Sequence, residues 1–313
     1  MISRKKFLMD LNHKNTIIEN PFLREIHNTA FSFSVLEGYE KFSYKWILSN
    51  FIGLKYTDLI TYDLPFFLRW PCFKKKTIFL LPHNNIINLM VNYINKGLYI
   101  YTEINEYFIP NRKSFNNCYF THDILIYGYS NSQKLLFTIA YNEKRKYEKQ
   151  AISYDDFLKA FNSCKTKYLL KTMVFSIDNN YNFNCLQYDK IKNDLKKYIY
   201  PSKKYLGINV YKYLENDLIR SHSNKYINMR SFRTIKEHKK ILFLLSEFFV
   251  LPNEIKELLN ELINDSNIIF NLSLKYNITN NEKIINSIIL RLKQLKTKEI
   301  IVIKKILEFL DDF

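Results

Sequence analysis

Two apolar segments around a short polar turn restrict the fold of this chain more than any other feature. Residues 121–130, THDILIYGYS, run into the turn letters SNSQ and are followed by the apolar segment LLFTIAY. Large apolar residues bounded by turn residues predict the two strands of a β-hairpin. Strand alternation places His122 and Ile124 on one face and Asp123 and Leu125 on the other. A histidine therefore opens an otherwise apolar strand, and Asp123 is expected to point away from it.

Periodicity predicts the remaining elements, because only five glycines and seven prolines mark the loops. Apolar spacing predicts a helix over 29–38, with Thr29 as its N-cap, and a second helix over 81–97. After about residue 184 the segments carry helical spacing almost throughout. We therefore predict an α+β fold: a core of residues 1–184 with an antiparallel sheet and N-terminal helices, followed by a helical C-terminal region, 185–313.

Charge and composition narrow the classes of partner. The net charge is +17, but the basic residues are spread along the chain without a nucleic-acid-binding motif. We therefore expect no nucleic acid partner and leave an acidic protein partner open. No apolar run is long enough to span a membrane, and no apolar segment follows the basic start, so we expect no membrane partner, no signal peptide and a cytoplasmic location.

The cysteines and histidines show no metal-binding pattern. The four cysteines form no CxxC pair, and no Cys/His cluster has metal-ligand spacing. We therefore expect reduced thiols and no bound metal.

A histidine that opens a strand downstream of an early helix follows the order of parts in a papain-like hydrolase. In such an enzyme the nucleophile sits at a helix N-terminus, where the helix dipole favours a thiolate. The histidine takes its proton, and a third polar residue on the neighbouring strand orients the imidazole ring. The return strand here ends in AYNE, so Asn142 is the first candidate for that third residue and Glu143 the second.

The segment HDILIYGY, preceded by LYIYTEINEYFIPNRKSF, resembles the central signature of cysteine-protease homologues from bacterial natural-product clusters. These are the butirosin-type acyltransferases, and the likeness is closest in character to the amide-forming homologues of closthioamide biosynthesis. It covers roughly residues 20–165. The resemblance implies a papain-like core that takes an acyl group from the phosphopantetheine arm of an acyl or peptidyl carrier protein. The acceptor would be an amine or a peptide-like small substrate, and no cofactor would be bound directly.

The resemblance places the nucleophilic cysteine at Ala30, and no cysteine precedes Cys72. Three explanations stay open. The alanine is a deliberate replacement of the nucleophile, or the protein is a natural pseudoenzyme that only binds, or a hydroxyl of Ser32 or Thr29 serves instead. In the first two cases we expect the chain as it stands to be inactive.

The remaining roles and alternatives follow from this alignment. His122 would be the base, and Asn28 together with the backbone N–H of residue 30 would stabilise an oxyanion. Tyr107 would belong to an aromatic wall that holds the substrate. A cysteine peptidase or amidase of the same fold is an alternative, because the acyl-enzyme is common to both reactions, and so is a protein that binds a peptide or carrier without catalysis. The sequence leaves the oligomeric state open.

Overall fold

The computed structural model describes residues 12–24, 27–80, 85–164, 170–220 and 226–312. Its strands are, in chain order, β1 (Asn12–Lys14), β2 (Leu54–Tyr56), β3 (Ile60–Tyr62), β4 (Phe73–Leu80), β5 (Tyr99–Asn105), β6 (Thr121–Ser130), β7 (Leu135–Tyr141), β8 (Tyr147–Ser153) and β9 (Leu170–Ile177). Its α-helices are α1 (His27–Leu36), α2 (Lys45–Leu48), α3 (Ile86–Ile94), α4 (Tyr154–Asn162), α5 (Tyr188–Ile199), α6 (Val210–Arg220), α7 (Arg230–Phe248), α8 (Asn253–Thr279) and α9 (Glu282–Asp311). Short 3-10 turns cover Phe67–Arg69, Glu106–Phe108 and Gly207–Asn209.

The chain divides into two compact units. The first comprises residues 1–40 and 66–181, and the second comprises 41–65 and 182–313. An antiparallel sheet is the centre of the first unit, and helices dominate the second. This confirms the predicted combination of a mixed fold, an antiparallel sheet and C-terminal helices. The second unit also takes in the β2–β3 hairpin from the N-terminal part of the sequence.

The sheet of the first unit is antiparallel throughout, in the order β4-β9-β5-β6-β7-β8, with β1 added beside β6. The predicted hairpin is confirmed as β6–β7, in which Leu125 pairs with Ile139 and Ser130 with Leu135. On the other side of β6, strand β5 sets Ile104 opposite His122. The hairpin strand that begins with the histidine is therefore central to the sheet.

The two faces of this sheet pack against different kinds of side chain. Helices α3 and α4 cover the face that carries Ile124 and Ile126, in an aliphatic core. Rings cover the opposite face: Tyr101 of β5 lies 6.1 Å from Phe31 of α1 and 5.6 Å from Phe67, centroid to centroid. Aromatic rings bury large areas and favour such edge-on contacts. Part of the 16% aromatic content is therefore core.

The sequence pattern predicts where these helices lie better than it predicts the residues at which they begin and end. Helix α1 begins at His27 and not after Thr29. Of the helix predicted over 81–97, the structure shows Ile86–Ile94, and residues 81–84 lie outside the described part. Where glycine and proline are scarce, apolar spacing identifies a helix but does not fix its first and last turns. None of the helices in the described residues is long and apolar enough to cross a membrane.

The second unit is organised around a buried charge network. The carboxylate of Glu299 on α9 accepts hydrogen bonds from Lys239 of α7, from Tyr198 at 3.0 Å and from Tyr211 at 2.7 Å. His238 adds a hydrogen bond of 2.9 Å to the carbonyl oxygen of Ile52. Burial alone would raise the pKa of Glu299, but Lys239 and His238 lower it to about 2. The carboxylate therefore stays charged, and its partners tie α5, α6, α7 and α9 together.

Gly128 is the residue that lets β1 approach β6. In the register, Lys14 lies opposite Gly128, and the backbone N–H of Asn15 donates to the carbonyl oxygen of Tyr127 at 2.8 Å. A Cβ atom at position 128 would lie 2.5 Å from the carbonyl oxygen of His13. Because that neighbour is backbone, it cannot move away as a flexible side chain would. The glycine of the YGY motif therefore has a structural role.

We predict that Gly128→Ala weakens the β1–β6 pairing and destabilises the first unit by about 1–3 kcal/mol, the usual cost of forcing extra volume into a packed site. Denaturant unfolding followed by circular dichroism measures the loss, and faster hydrogen exchange at the Asn15 amide locates it. Gly53→Ala is the control, because its Cβ would meet only the Cβ of Asp63, at 3.4 Å. Equal stability of the two variants would contradict the prediction.

Candidate active site

His122 lies where β6 begins, at the end of the sheet. Its side chain is 26% exposed, and the ring of Phe120 lies 5.4 Å away from the imidazole. The pairing of β6 with β7 starts only at Leu125. Among the described strands, one side of the histidine therefore has no paired strand beside it, and part of its side chain is exposed to solvent.

The imidazole is hydrogen-bonded to the neighbouring carboxylate. Its Nδ1 lies 2.9 Å from Oδ1 of Asp123 and 3.2 Å from the Asp123 carbonyl oxygen. The hydroxyl of Tyr101 donates to the other carboxylate oxygen at 2.8 Å. The expectation that Asp123 points away from His122 is wrong. Alternation fixes the Cβ directions, but at the end of a strand the ring has room to bend back to the next residue.

This pair has the arrangement of a base and its orienting group. In a base of this kind the carboxylate holds Nδ1, and the reacting proton goes to Nε2. Burial lowers the pKa of His122, but the hydrogen bond and the charge of Asp123, with a further contribution from Glu106, raise it above its ordinary value. The ring is thus stabilised in its protonated form. A general base needs this stabilisation once it has accepted a proton.

Asn142, the predicted third residue, has other hydrogen bonds. Its amide nitrogen donates to Oε1 of Glu148 at 2.7 Å, and its amide oxygen accepts the Lys146 backbone N–H at 2.9 Å. These bonds hold the turn between β7 and β8, where Glu143 is also exposed. The hydrogen-bond partner that the structure gives to the imidazole is Asp123.

Position 30 lies in the first turn of α1. Ala30 is fully buried, and the next residue, Phe31, contacts the Tyr101 ring whose hydroxyl binds Asp123. A continuous path of contacts therefore joins the helix of the predicted nucleophile to His122. The backbone of Asn28 belongs to the same helix, and its side chain lies outside the described residues.

The two candidate hydroxyls of α1 are less accessible than the histidine. The Ser32 hydroxyl is buried and donates to the carbonyl oxygen of Thr29 at 2.8 Å. Thr29 itself is also buried, with 8% of its surface exposed. A hydroxyl committed to its own helix backbone must break that bond before it can react, so this geometry disfavours Ser32 as the nucleophile.

The connection between β5 and β6 is rich in aromatic side chains, and one of them, Phe120, lies beside the histidine. The ring of Tyr107, which was predicted to contact substrate, stacks on Tyr119 with 4.8 Å between centroids and 10° between planes. Phe115, Tyr119 and Phe120 of the same β5–β6 connection are exposed. We call Tyr107, Phe115, Tyr119 and Phe120 the aromatic wall. Exposed apolar rings next to a titratable group are typical of a surface that binds an apolar ligand.

Sequence analysis missed two charged residues at this site. Arg112 is almost fully buried; its Nη1 lies 3.7 Å from Oε1 of Glu106 and donates to the Tyr141 carbonyl oxygen at 2.5 Å. Burial raises the pKa of Glu106 above its ordinary value, and the opposing effects of Arg112 and His122 reduce that rise without cancelling it. The signal that points to this pair is the presence of two charges inside the otherwise uncharged stretch NEYFIPNR.

Neither a metal site nor a relative identifies the protein further. In the part of the chain that the structure describes, no group of three His, Cys, Asp or Glu side chains could hold a metal ion. No known protein family matches the chain, and comparison with curated proteins found no relative. The geometry around His122 and the motif resemblance are therefore the two features that indicate a function.

We predict that Asp123→Asn lowers the pKa of His122, because the variant removes the carboxylate that stabilises the imidazolium. A histidine with a raised folded pKa contributes stability below its unfolded pKa and loses that contribution as pH rises through the folded pKa. Asp123→Asn should therefore cost more stability at pH 5.5 than at pH 8.5. NMR titration of the His122 ring and denaturant unfolding at both pH values measure this. A His122 pKa that is unchanged in the variant would contradict it.

Proposed function

We propose that the first unit is a papain-like acyltransferase core in which His122 is the general base and Asp123 its orienting carboxylate. The nucleophile position is residue 30, and the acyl donor is a thioester on a carrier protein's phosphopantetheine arm. One observation carries the proposal: a partly exposed imidazole, hydrogen-bonded to a carboxylate, opens the strand whose HDILIYGY motif resembles the acyltransferase family. Papain-like topology and carrier-protein specificity rest on that resemblance.

With a thiol at position 30, the groups present supply each proton transfer. Nε2 of His122 takes the thiol proton, and the thiolate attacks the thioester carbonyl carbon. Position 30 lies in the first turn of α1, where the backbone N–H groups and the positive end of the helix dipole would stabilise the oxyanion. As the tetrahedral intermediate collapses to an acyl-enzyme, the imidazolium gives its proton to the departing phosphopantetheine sulfur and becomes neutral again. An amine then attacks the acyl-enzyme and His122 takes the amine proton. The amide leaves, and His122 returns that proton to the sulfur at position 30.

Amide formation also requires that the amine outcompete water. Phe120 of the aromatic wall lies beside His122, and the exposed rings of the wall would provide an apolar surface that covers the acyl-enzyme and holds the acyl chain. An acidic carrier protein would be attracted by the net charge of +17. The antibiotic class of the product, a nonribosomal peptide or thioamide, comes from the motif resemblance.

As it stands, the chain has alanine at position 30 and therefore lacks the thiol. We propose that this form binds substrate without acylation. A protein that binds without catalysis is the second candidate function, and the complete burial of Ala30 favours it, because a methyl group fits that site without leaving an unfilled polar contact. A peptidase or amidase with the same residues would differ only in letting water reach the acyl-enzyme.

We predict that Ala30→Cys forms an acyl adduct with an acyl N-acetylcysteamine thioester, a small mimic of the phosphopantetheine arm. Intact-mass spectrometry detects the adduct. The unsubstituted chain is the blank, because its own Cys118 and Cys185 are exposed. Ala30→Cys combined with His122→Gln should acylate at least about 100-fold more slowly, because a positioned base usually contributes that much.

Two further measurements distinguish an acyltransferase from a peptidase and from a binding protein. Addition of an amine to the acylated variant should release amide, whereas release of free acid alone would favour the peptidase alternative. Iodoacetamide labelling of the Ala30→Cys variant, compared with the unsubstituted chain, checks that the new thiol is reachable. A reachable thiol that forms no adduct with any thioester would remove the acyltransferase proposal and leave the binding protein.

A further inference from the structure

Two buried charges that the proposed reaction does not use lie next to His122. Glu106 is 9% exposed and Arg112 is 4% exposed, and both belong to the connection between β5 and β6. The guanidinium approaches Oε1 of Glu106 at 3.7 Å and donates to the carbonyl oxygen of Tyr141 at 2.5 Å. This one side chain therefore bridges the connection to the end of β7.

The stability of the fold does not explain this pair. Charges removed from water cost free energy that an ion pair recovers only when its geometry is good and all its hydrogen bonds are made. Here the closest charged atoms are 3.7 Å apart, and Nε of Arg112 has no hydrogen-bond partner among the described residues. Apolar side chains of similar volume would fill the same space at lower cost, so another role is indicated.

Backbone pairing brings Glu106 to the histidine. The N–H of Glu106 donates to the carbonyl oxygen of Phe120 at 2.9 Å. This bond lies two residues along each strand from the pairing of Ile104 with His122. The Glu106 carboxylate interacts electrostatically with His122, and the Arg112 guanidinium interacts with Asp123. Among the described residues, two carboxylates therefore act on the imidazole, and the guanidinium acts on both of those carboxylates.

The charge of this group depends on the proton of the imidazole. With a neutral His122, the carboxylates of Glu106 and Asp123 outnumber Arg112, and the buried group carries one net negative charge. With a protonated His122 the group is neutral. A net charge is costly at low dielectric, so the two carboxylates favour the protonated imidazole. The positive charge of Arg112 weakens that preference.

We propose that Glu106 and Arg112 are positioning residues that act as a matched pair: Glu106 stabilises the imidazolium of His122, and Arg112 opposes it so that the ring can also lose its proton. The catalytic relevance of the pair rests on the proposed role of His122, while its electrostatic effect does not. Among the residues that the structure describes, the charged or titratable groups near the His122–Asp123 pair include Tyr101 and the exposed Glu103 on β5, and Glu106 and Arg112 on the connection.

The test is a double-substitution cycle read by NMR titration of His122 in the full chain, with the resonance assigned by His122→Gln. Glu106→Gln removes one of the two carboxylates and keeps the guanidinium, so it should lower the His122 pKa by at least about half a unit. Glu106→Gln combined with Arg112→Gln removes both charges and should return it toward the starting value. A merely structural pair would not be rescued by the second substitution.

Matched controls and a second measurement complete the test. Glu143→Gln and Arg145→Gln make the same chemical changes in the exposed turn after β7 and should leave the His122 pKa unchanged. The proposal is overturned if folded Glu106→Gln leaves that pKa unchanged or if the double variant does not restore it. The pH profile of acylation in the Ala30→Cys background should shift as the titration does. A titration shift without acylation in any variant would refute the proposed function and leave the charge pair intact.

Discussion

The antiparallel pairing of β5 with β6 is the interaction on which the candidate site depends. It sets Ile104 opposite His122 and Glu103 opposite Asp123, and its continuation joins Glu106 to Phe120. Backbone hydrogen bonds therefore place a histidine, its carboxylate partner and a second carboxylate at one end of a sheet. The buried side chains of β6 hold this end in register, because a slip by one residue would move Ile124 and Ile126 from the core under α3 and α4 to the face that aromatic rings cover.

The site combines an exposed base with buried charges. His122 and the aromatic wall are accessible, whereas Arg112 and Glu106 lie beneath them at low dielectric. Electrostatic effects act more strongly in such surroundings than at an open surface. This arrangement suits a proton acceptor whose charge state must be controlled, and it accounts for the ionised side chains in a connection that is otherwise aromatic.

Local pattern was sufficient for some features and not for others. The β6–β7 hairpin could be predicted because its alternation and turn residues are local. The His122–Asp123 bond could not, because alternation describes side-chain directions inside a strand and not where an end residue bends. The ion pair of Glu106 and Arg112 could not, because it depends on how the connection folds against β7. The assignment of residue 30 came from motif resemblance, since an alanine carries no chemical signal of its own.

The central claim is that His122 serves a nucleophile at position 30, and an experimental structure of Ala30→Cys tests it most directly. The account predicts that the sulfur introduced at position 30 lies within about 4 Å of Nε2 of His122, the reach of a thiol–imidazole hydrogen bond that is loose before substrate binds. It also predicts that Nδ1 remains bonded to Asp123. A separation beyond about 7 Å, with Nε2 enclosed by apolar side chains, would contradict the account, because a base at that distance is out of hydrogen-bond reach.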